Sequence, residues 1–163
     1  MQRVLELASQ EAPPWVRIHA APWSVEPPIE AFDWKRRQYR ADLINLFLHE
    51  FYKTREPSNV LVVGVVRGDG FIGELNFVFG LASPQISVAT VYTARLETAS
   101  LDKTASRIAK EILHEMGHLL GLNHCSNPSC VMSFSNTVDE VDKKGPGFCD
   151  TCLRKLSFKH KSA

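Results

Sequence analysis

The sequence predicts an α/β (α+β) fold, a mixed β-sheet with helices packed on it, and three observations carry that prediction. Residues 60–66 are apolar and mostly β-branched, a stripe of helical period precedes them, and a longer helical stripe follows several short strand-like segments. At 163 residues, 44% hydrophobic and 23% charged, the chain reads as one domain over 1–163. The formal net charge of +1 lacks the basic footprint of a nucleic-acid binder. The longest apolar run falls far short of the roughly 20 residues that span a bilayer, and residues 1–12 carry no signal-peptide core. A cytoplasmic protein is therefore expected. Its four cysteines, Cys125, Cys130, Cys149 and Cys152, all fall in the last quarter of the chain. Cytosolic thiols stay reduced, so their clustering points to metal.

Taken in order, residues 1–12 suit either a short helix or an arm, and residues 15–20, between prolines, read as a strand. From about residue 33 the chain carries Tyr39, Leu43, Leu46, Phe47 and Phe51 at helical spacing until Pro57 stops it. Residues 60–66 read as a strand covered on both faces in a largely parallel sheet, and residues 67–70 as a turn. Residues 71–81, with Gly73 and Gly80, read as one or two short strands, and residues 85–96 as another. A second helix runs from about residue 100 or 102 to 122. Leu101, Ala105, Ile108, Ile112, Met116 and Leu119 form its core-facing stripe. A polar stripe passes through Lys103, Arg107, Lys110, His114 and His118. A last helix is expected over residues 150–159.

The chemistry lies in His114-Glu115-Met116-Gly117-His118-Leu119-Leu120-Gly121-Leu122-Asn123-His124. Histidines four apart on a helix can both present nitrogen to one zinc ion at about 2.0–2.1 Å. Glu115 projects about 100° round the helix from His114, beside such a metal and not on it, where a general base acts on metal-bound water. Gly121 permits the left-handed turn that ends the helix and returns His124 as a third ligand, leaving the fourth position to water. A bare His-Glu-x-x-His match arises by chance about once in a few hundred chains of this length, and requiring Gly121 and His124 as well lowers that by roughly two to three orders of magnitude.

His114 to His124 resembles the long zinc-binding signature of the metzincin clan of metallopeptidases. The continuation through Cys125, Cys130, Met132 and Cys149-x-x-Cys152 resembles the archaemetzincin family, as do Phe32-Asp33 and Arg37-Gln38-Tyr39 within residues 28–41. The resemblance covers about residues 28–152 and departs at the start, where no clear first strand and helix precede Trp15. It implies a metzincin-like twisted mixed sheet with a backing helix and an active-site helix over about 1–123, and a small C-terminal subdomain over about 124–163. It further implies that His114, His118 and His124 bind the catalytic zinc, that Glu115 is general base and acid, that Gly121 is the turn glycine and that Met132 forms the tight methionine turn beneath the zinc. A plain core role is the alternative for Met132.

The two cysteine pairs suit a structural zinc with Zn–S distances near 2.3 Å, two disulfides being the alternative. Such a staple would hold together a segment of about forty residues, too short to build a core. Two zinc ions, one catalytic and one structural, are thus expected. Lys143, Lys144, Arg154, Lys155, Lys159 and Lys161 read as a solvated basic face, and His19, His49 and His160 lack ligand spacing.

The function expected is a zinc-dependent peptidase, monomeric, acting on a peptide or unfolded protein segment and not on nucleic acid or membrane, with aminopeptidase-like or endopeptidase action left open. Substrate is expected to pair with an exposed strand edge within residues 71–81, and residues 133–148 to wall the pocket for the residue after the scissile bond. No segment ahead of the core is long enough for an inhibitory prodomain, so access to the cleft or substrate choice is expected to limit activity. The alternative is a catalytically silent two-zinc peptide- or protein-binding module with an occluded site.

Overall fold

The computed structural model describes residues 1–22, 24–55, 57 and 59–161, the last two through their helix only, so the side chains of His160 and Lys161 lie outside the described residues. The elements run α1 (Gln2–Glu11), β1 (Phe32–Asp33), β2 (Gln38–Arg40), α2 (Ala41–Tyr52), β3 (Val62–Val66), β4 (Gly70–Phe71), β5 (Gly80–Ser83), β6 (Val88–Tyr92), α3 (Leu101–Leu119), α4 (Val138–Lys143) and α5 (Asp150–Lys161). One sheet has the order β3-β6-β5, with β3 parallel and β5 antiparallel to β6. A smaller sheet has the order β1-β2-β4. The architecture is mixed α+β, with small twisted sheets, helices and a C-terminal cysteine cluster.

β6 organises the molecule because helices cover both of its faces, and every residue in it is buried. Val88 and Tyr92 pack with Ala41, Ile44 and Leu48 of α2, and Val91 belongs to the cluster built on Ile108, Ile112 and Leu113 of α3. That alternation is the period-2 pattern of a strand between two layers. β3 pairs in parallel as expected, yet it is an edge strand and half-buried over most of its length. Its β-branched run reflects parallel pairing and not burial on both faces.

Other expectations need correction. The helix expected from about residue 33 begins only at Ala41. Residues 32–40 instead form the β1–β2 pair, in which Tyr39 lies opposite Phe32, and Arg37 adopts a φ of +57° in the connecting turn. Residues 15–20 form no strand, and the chain turns there through a Val16 N–H to Pro13 carbonyl bond of 2.9 Å. Residues 71–81 are largely loop between β4 and β5, and only Val88–Tyr92 of residues 85–96 is strand. Of the two possibilities for residues 1–12, the helix is found: α1 buries Val4 and Ala8 in the cluster it shares with α3.

α3 starts where Ser100 accepts a hydrogen bond from the Lys103 N–H, an N-cap that satisfies one of the helix's orphan donors. Leu101, assigned to the core stripe, is 84% exposed, and the buried stripe begins at Ala105. The polar stripe does not face water throughout. α4 lies across it, and Arg107 forks onto Asp142 through two 2.7 Å bonds. Lys110 Nζ donates to the carbonyls of Val141, Asp142 and Lys144, the C-terminal end of α4. Thr137 and Glu140 close a capping box at the other end. Cys130, Val131, Met132, Val141, Phe148, Cys152 and Leu156 join the cluster of α1 and α3, so the segment after His124 completes a shared core and does not build its own. Among the described residues no helix is long and apolar enough to cross a membrane.

Candidate active site

α3 ends in a Schellman motif: the Leu122 N–H bonds the Gly117 carbonyl at 2.8 Å and the Gly121 N–H bonds the His118 carbonyl at 2.9 Å. The motif needs a left-handed residue, which Gly121 supplies with a φ of +85°. This turn brings His124 back over the helix face that carries His114 and His118. The His124 ring stacks on His114 with centroids 5.2 Å apart and meets His118 edge-on at 4.9 Å. The ligand nitrogens of the three histidines lie within 4.8 Å of one another.

The backbone orients two of the rings. His114 Nδ1 lies 2.8 Å from the Val131 carbonyl and His118 Nδ1 2.8 Å from the Leu122 carbonyl. A carbonyl only accepts, so each Nδ1 carries the proton and each Nε2 presents a lone pair. These two Nε2 atoms stand 3.1 Å apart. Facing lone pairs repel unless a cation lies between them, and two ligands of one tetrahedral zinc stand about 3.4 Å apart. Burial pushes the His114 pKa down to about 3, with the Lys144 charge adding to it, and burial lowers His124 as well, which favours the neutral, ligating form of these two rings. The donor set fits zinc.

Glu115 is buried at the base of a cleft of about 660 Å³ that β5 and the loop before it share with His114, His118 and His124. Burial raises its pKa well above the ordinary carboxylate value; Glu111 adds to the rise and Lys144 opposes it. β5 approaches so closely that a Cβ on Gly80 would stand 2.5 Å from Glu115 Oε1. Met132 is fully buried beneath α3, and its sulfur occupies the space a Cβ on Gly117 would need. Phe134 rests beside His124 with ring centroids 4.8 Å apart and, with Ser135 and Asn136, lines the cleft from within residues 133–148. Of residues 71–81, Leu75 to Leu81 line the opposite side, ending in the edge strand β5.

The four cysteines converge as a second group with sulfurs within 4.8 Å of one another. Cys125 and Cys149 sulfurs are 3.8 Å apart, as are those of Cys130 and Cys152. All four are free thiols. Ligands of a tetrahedral zinc at 2.3 Å stand about 3.8 Å apart, so the spacing matches metal ligation and not the roughly 2.05 Å of a disulfide. Burial raises the Cys149 thiol pKa, but bonds from the Cys152 backbone and the neighbouring sulfurs outweigh it and bring it to about 7.

Sequence reasoning missed two buried charges of this site. Lys144, assigned to a solvated face, is 3% exposed and lies 2.7 Å from the buried Glu111. Neither carries a motif, and they stand thirty-three positions apart in the chain. The other assigned basic residues for which side chains are described, Lys143, Arg154, Lys155 and Lys159, stay on the exposed or partly exposed surface, with Lys159 Nζ donating to the Gly121 carbonyl. His19 is exposed, and His49 Nδ1 bonds the Ile86 carbonyl at 3.2 Å.

Residues 12–158 match the model of Peptidase family M54. The chain is 51% identical over 138 residues to an archaemetzincin of Aeropyrum pernix, covering 85% of this chain and 75% of that one. It is 39% identical over 133 residues to an archaemetzincin of Saccharolobus solfataricus, covering 79% and 71%. The crystal structure of an archaemetzincin from Methanopyrus kandleri matches with a TM-score of 0.73 at 36% identity over 82% of this chain and 72% of that one. A zinc-dependent peptidase from Methanocorpusculum labreanum matches with a TM-score of 0.75 at 31% identity, over 95% and 90%. The chain belongs to peptidase family M54, the archaemetzincins, and is a zinc metallopeptidase.

Proposed function

We propose that the chain hydrolyses peptide bonds at the three-histidine group, with His114, His118 and His124 holding the catalytic zinc and Glu115 serving as general base and acid. The observation that carries this reading is the pair of Nε2 lone pairs facing each other at 3.1 Å, with their Nδ1 protons committed to carbonyls. A zinc ion held there would supply Lewis acidity, the chemistry that lowers the pKa of water towards neutrality and favours negative charge on a carbonyl oxygen. Glu115 takes the proton of the attacking water and returns it to the departing amine, and its burial keeps bulk water from that proton meanwhile. The free edge of β5 offers an extended peptide a strand to pair with, which lays the scissile bond across the cleft. Cys125, Cys130, Cys149 and Cys152 would hold a second, structural zinc, which would supply folding energy to the segment they lie in.

Metal analysis and turnover of a mixed peptide library test this reading together. We expect two zinc ions per chain, and a Glu115→Gln variant that keeps both and loses cleavage by about 10²-fold or more. Cleavage that survives the substitution removes Glu115 from the role of base. Absence of cleavage by both proteins favours the peptide-binding alternative.

A further inference from the structure

The cleft holds a buried ion pair that the peptidase reading leaves unused. Glu111 lies one helical turn before Glu115 on α3, and Lys144, which follows α4, brings Nζ to 2.7 Å from Glu111 Oε1. The side chains are 4% and 1% exposed, and both residues line the cleft with His114 and Glu115. Beyond each other, neither Lys144 Nζ nor Glu111 Oε1 has a hydrogen-bond partner among the described residues. An ammonium offers three donors and each carboxylate oxygen about two acceptor sites, so Lys144 Nζ and Glu111 Oε1 keep capacity beyond their mutual contact. Arg107 and Lys110, on the same helix as Glu111 and also buried, are by contrast taken up by Asp142 and by backbone carbonyls.

We propose that this pair recognises a substrate side chain ending in a carboxamide, glutamine or asparagine, at the residue whose side chain enters this part of the cleft; the proposal rests on the peptidase reading above. The pair is neutral overall. A carboxamide gives its oxygen to Lys144 and an N–H to Glu111, meeting both without separating them. A substrate carboxylate reaches Lys144 only by competing with Glu111, and adds a negative charge beside Glu111 and Glu115. A substrate ammonium or guanidinium is set against Lys144. An aliphatic side chain covers both groups and leaves them unmet. Sites built to hydrogen-bond discriminate strongly against analogues that lack the bonding group.

Succinyl hydroxamates identical except for one side chain next to the chelating group test this by calorimetric binding to the zinc-loaded protein, without turnover. We expect the carboxamide member to bind at least tenfold more tightly than the carboxylate, ammonium and isobutyl members. In Glu111→Leu/Lys144→Met, which strands no single charge, the order should turn in favour of isobutyl. Should that double variant fail to fold, the wild-type order alone decides. A carboxylate, ammonium or isobutyl member that comes within tenfold of the carboxamide in wild type overturns the proposal and leaves the peptidase reading standing, and so does a carboxamide preference that persists in the folded double variant. Failure of every hydroxamate to bind overturns the metal-centre reading and this proposal with it.

Discussion

Replacing Gly80 with alanine tests how closely β5 holds the carboxylate of Glu115. The new Cβ would stand 2.5 Å from Oε1 and 2.7 Å from both Cδ and Cγ, where ordinary contact begins at 3.4 Å. Something must therefore yield by roughly 0.9 Å. β5 is fixed along its length by the ladder to β6, so the glutamate side chain moves. It has little room, since Glu115 is 5% exposed and packed into the cleft floor. A positioned general base is worth about 10²–10⁴-fold, and a displacement of about 1 Å costs on the order of 10²-fold. We predict that kcat falls about 10²-fold with KM within about threefold, and that zinc content is unchanged. Stability should fall by about 1 kcal/mol, because overpacking of about 1–3 kcal/mol is partly offset by the gain of about 0.5–1 kcal/mol on replacing a strand glycine. Steady-state kinetics on one peptide, metal analysis and a thermal melt of each protein measure all of this. A folded, zinc-replete Gly80→Ala enzyme with kcat within threefold of wild type would refute the reasoning, since Glu115 would then either have slack or not be the base.

Three further predictions concern the support of the site. Gly117→Ala places a Cβ 2.3 Å from Met132 Sδ and 3.0 Å from Phe148 Cε1, so it should destabilise by about 1 kcal/mol despite the roughly 1 kcal/mol that alanine gains in a helix; the loss should shrink in a Met132→Ala background, where only the Phe148 contact is left, and additive melting temperatures would count against it. Asp142→Asn weakens the Arg107 fork and should cost about 2 kcal/mol at pH 7, or about 4–8 °C in Tm. Arg107, then Lys103, hold the Asp142 carboxyl well below the ordinary range against its partial burial, so its contribution is complete above about pH 4 and is lost as acid protonates the folded protein. The difference in Tm from wild type should thus shrink from pH 4 to pH 2, and a difference that widens in acid contradicts the sign. Cys152→Ser should lower bound zinc from two to one per chain and depress Tm, because structural metal binding is folding energy; an unchanged zinc count measured on the variant would remove the four-cysteine site.

What could be read in the sequence was local. His114, His118, Glu115, Gly121 and His124 lie within eleven residues, and a helix followed by a glycine turn places them without help from the rest of the chain. The strand run at 60–66 was legible as parallel and misleading as to burial, since β-branching suits the ladder whichever faces are covered. The charged stripe of α3 could not be read, because its environment is set by α4, a six-residue helix whose exposed carbonyl end needs a cation and finds Lys110. Glu111 and Lys144 escaped for the same reason, as did the purpose of Gly80, whose close neighbour is a side chain thirty-five positions on and not a backbone.

Residues 130–132 show how the two candidate metal groups depend on each other. Three consecutive, fully buried residues each serve a different partner: Cys130 Sγ belongs to the cysteine cluster, the Val131 carbonyl fixes the His114 ring, and the Met132 sulfur fills the space beside Gly117. The Met132 carbonyl accepts from the Cys125 N–H at 2.9 Å, and Cys125 adjoins His124. A change in the sulfur cluster therefore reaches His114 through one peptide unit and His124 through another, with no side chain needed as intermediary. Rigid coupling of this kind suits a centre whose nitrogens must converge within a few tenths of an ångström. It also bears on why the cysteines sit beside the third histidine: the segment after Gly121 joins the core of α1 and α3 and is held to α3 by Arg107 and Lys110, and a metal held by the four sulfurs would add a clamp at the point where His124 is carried.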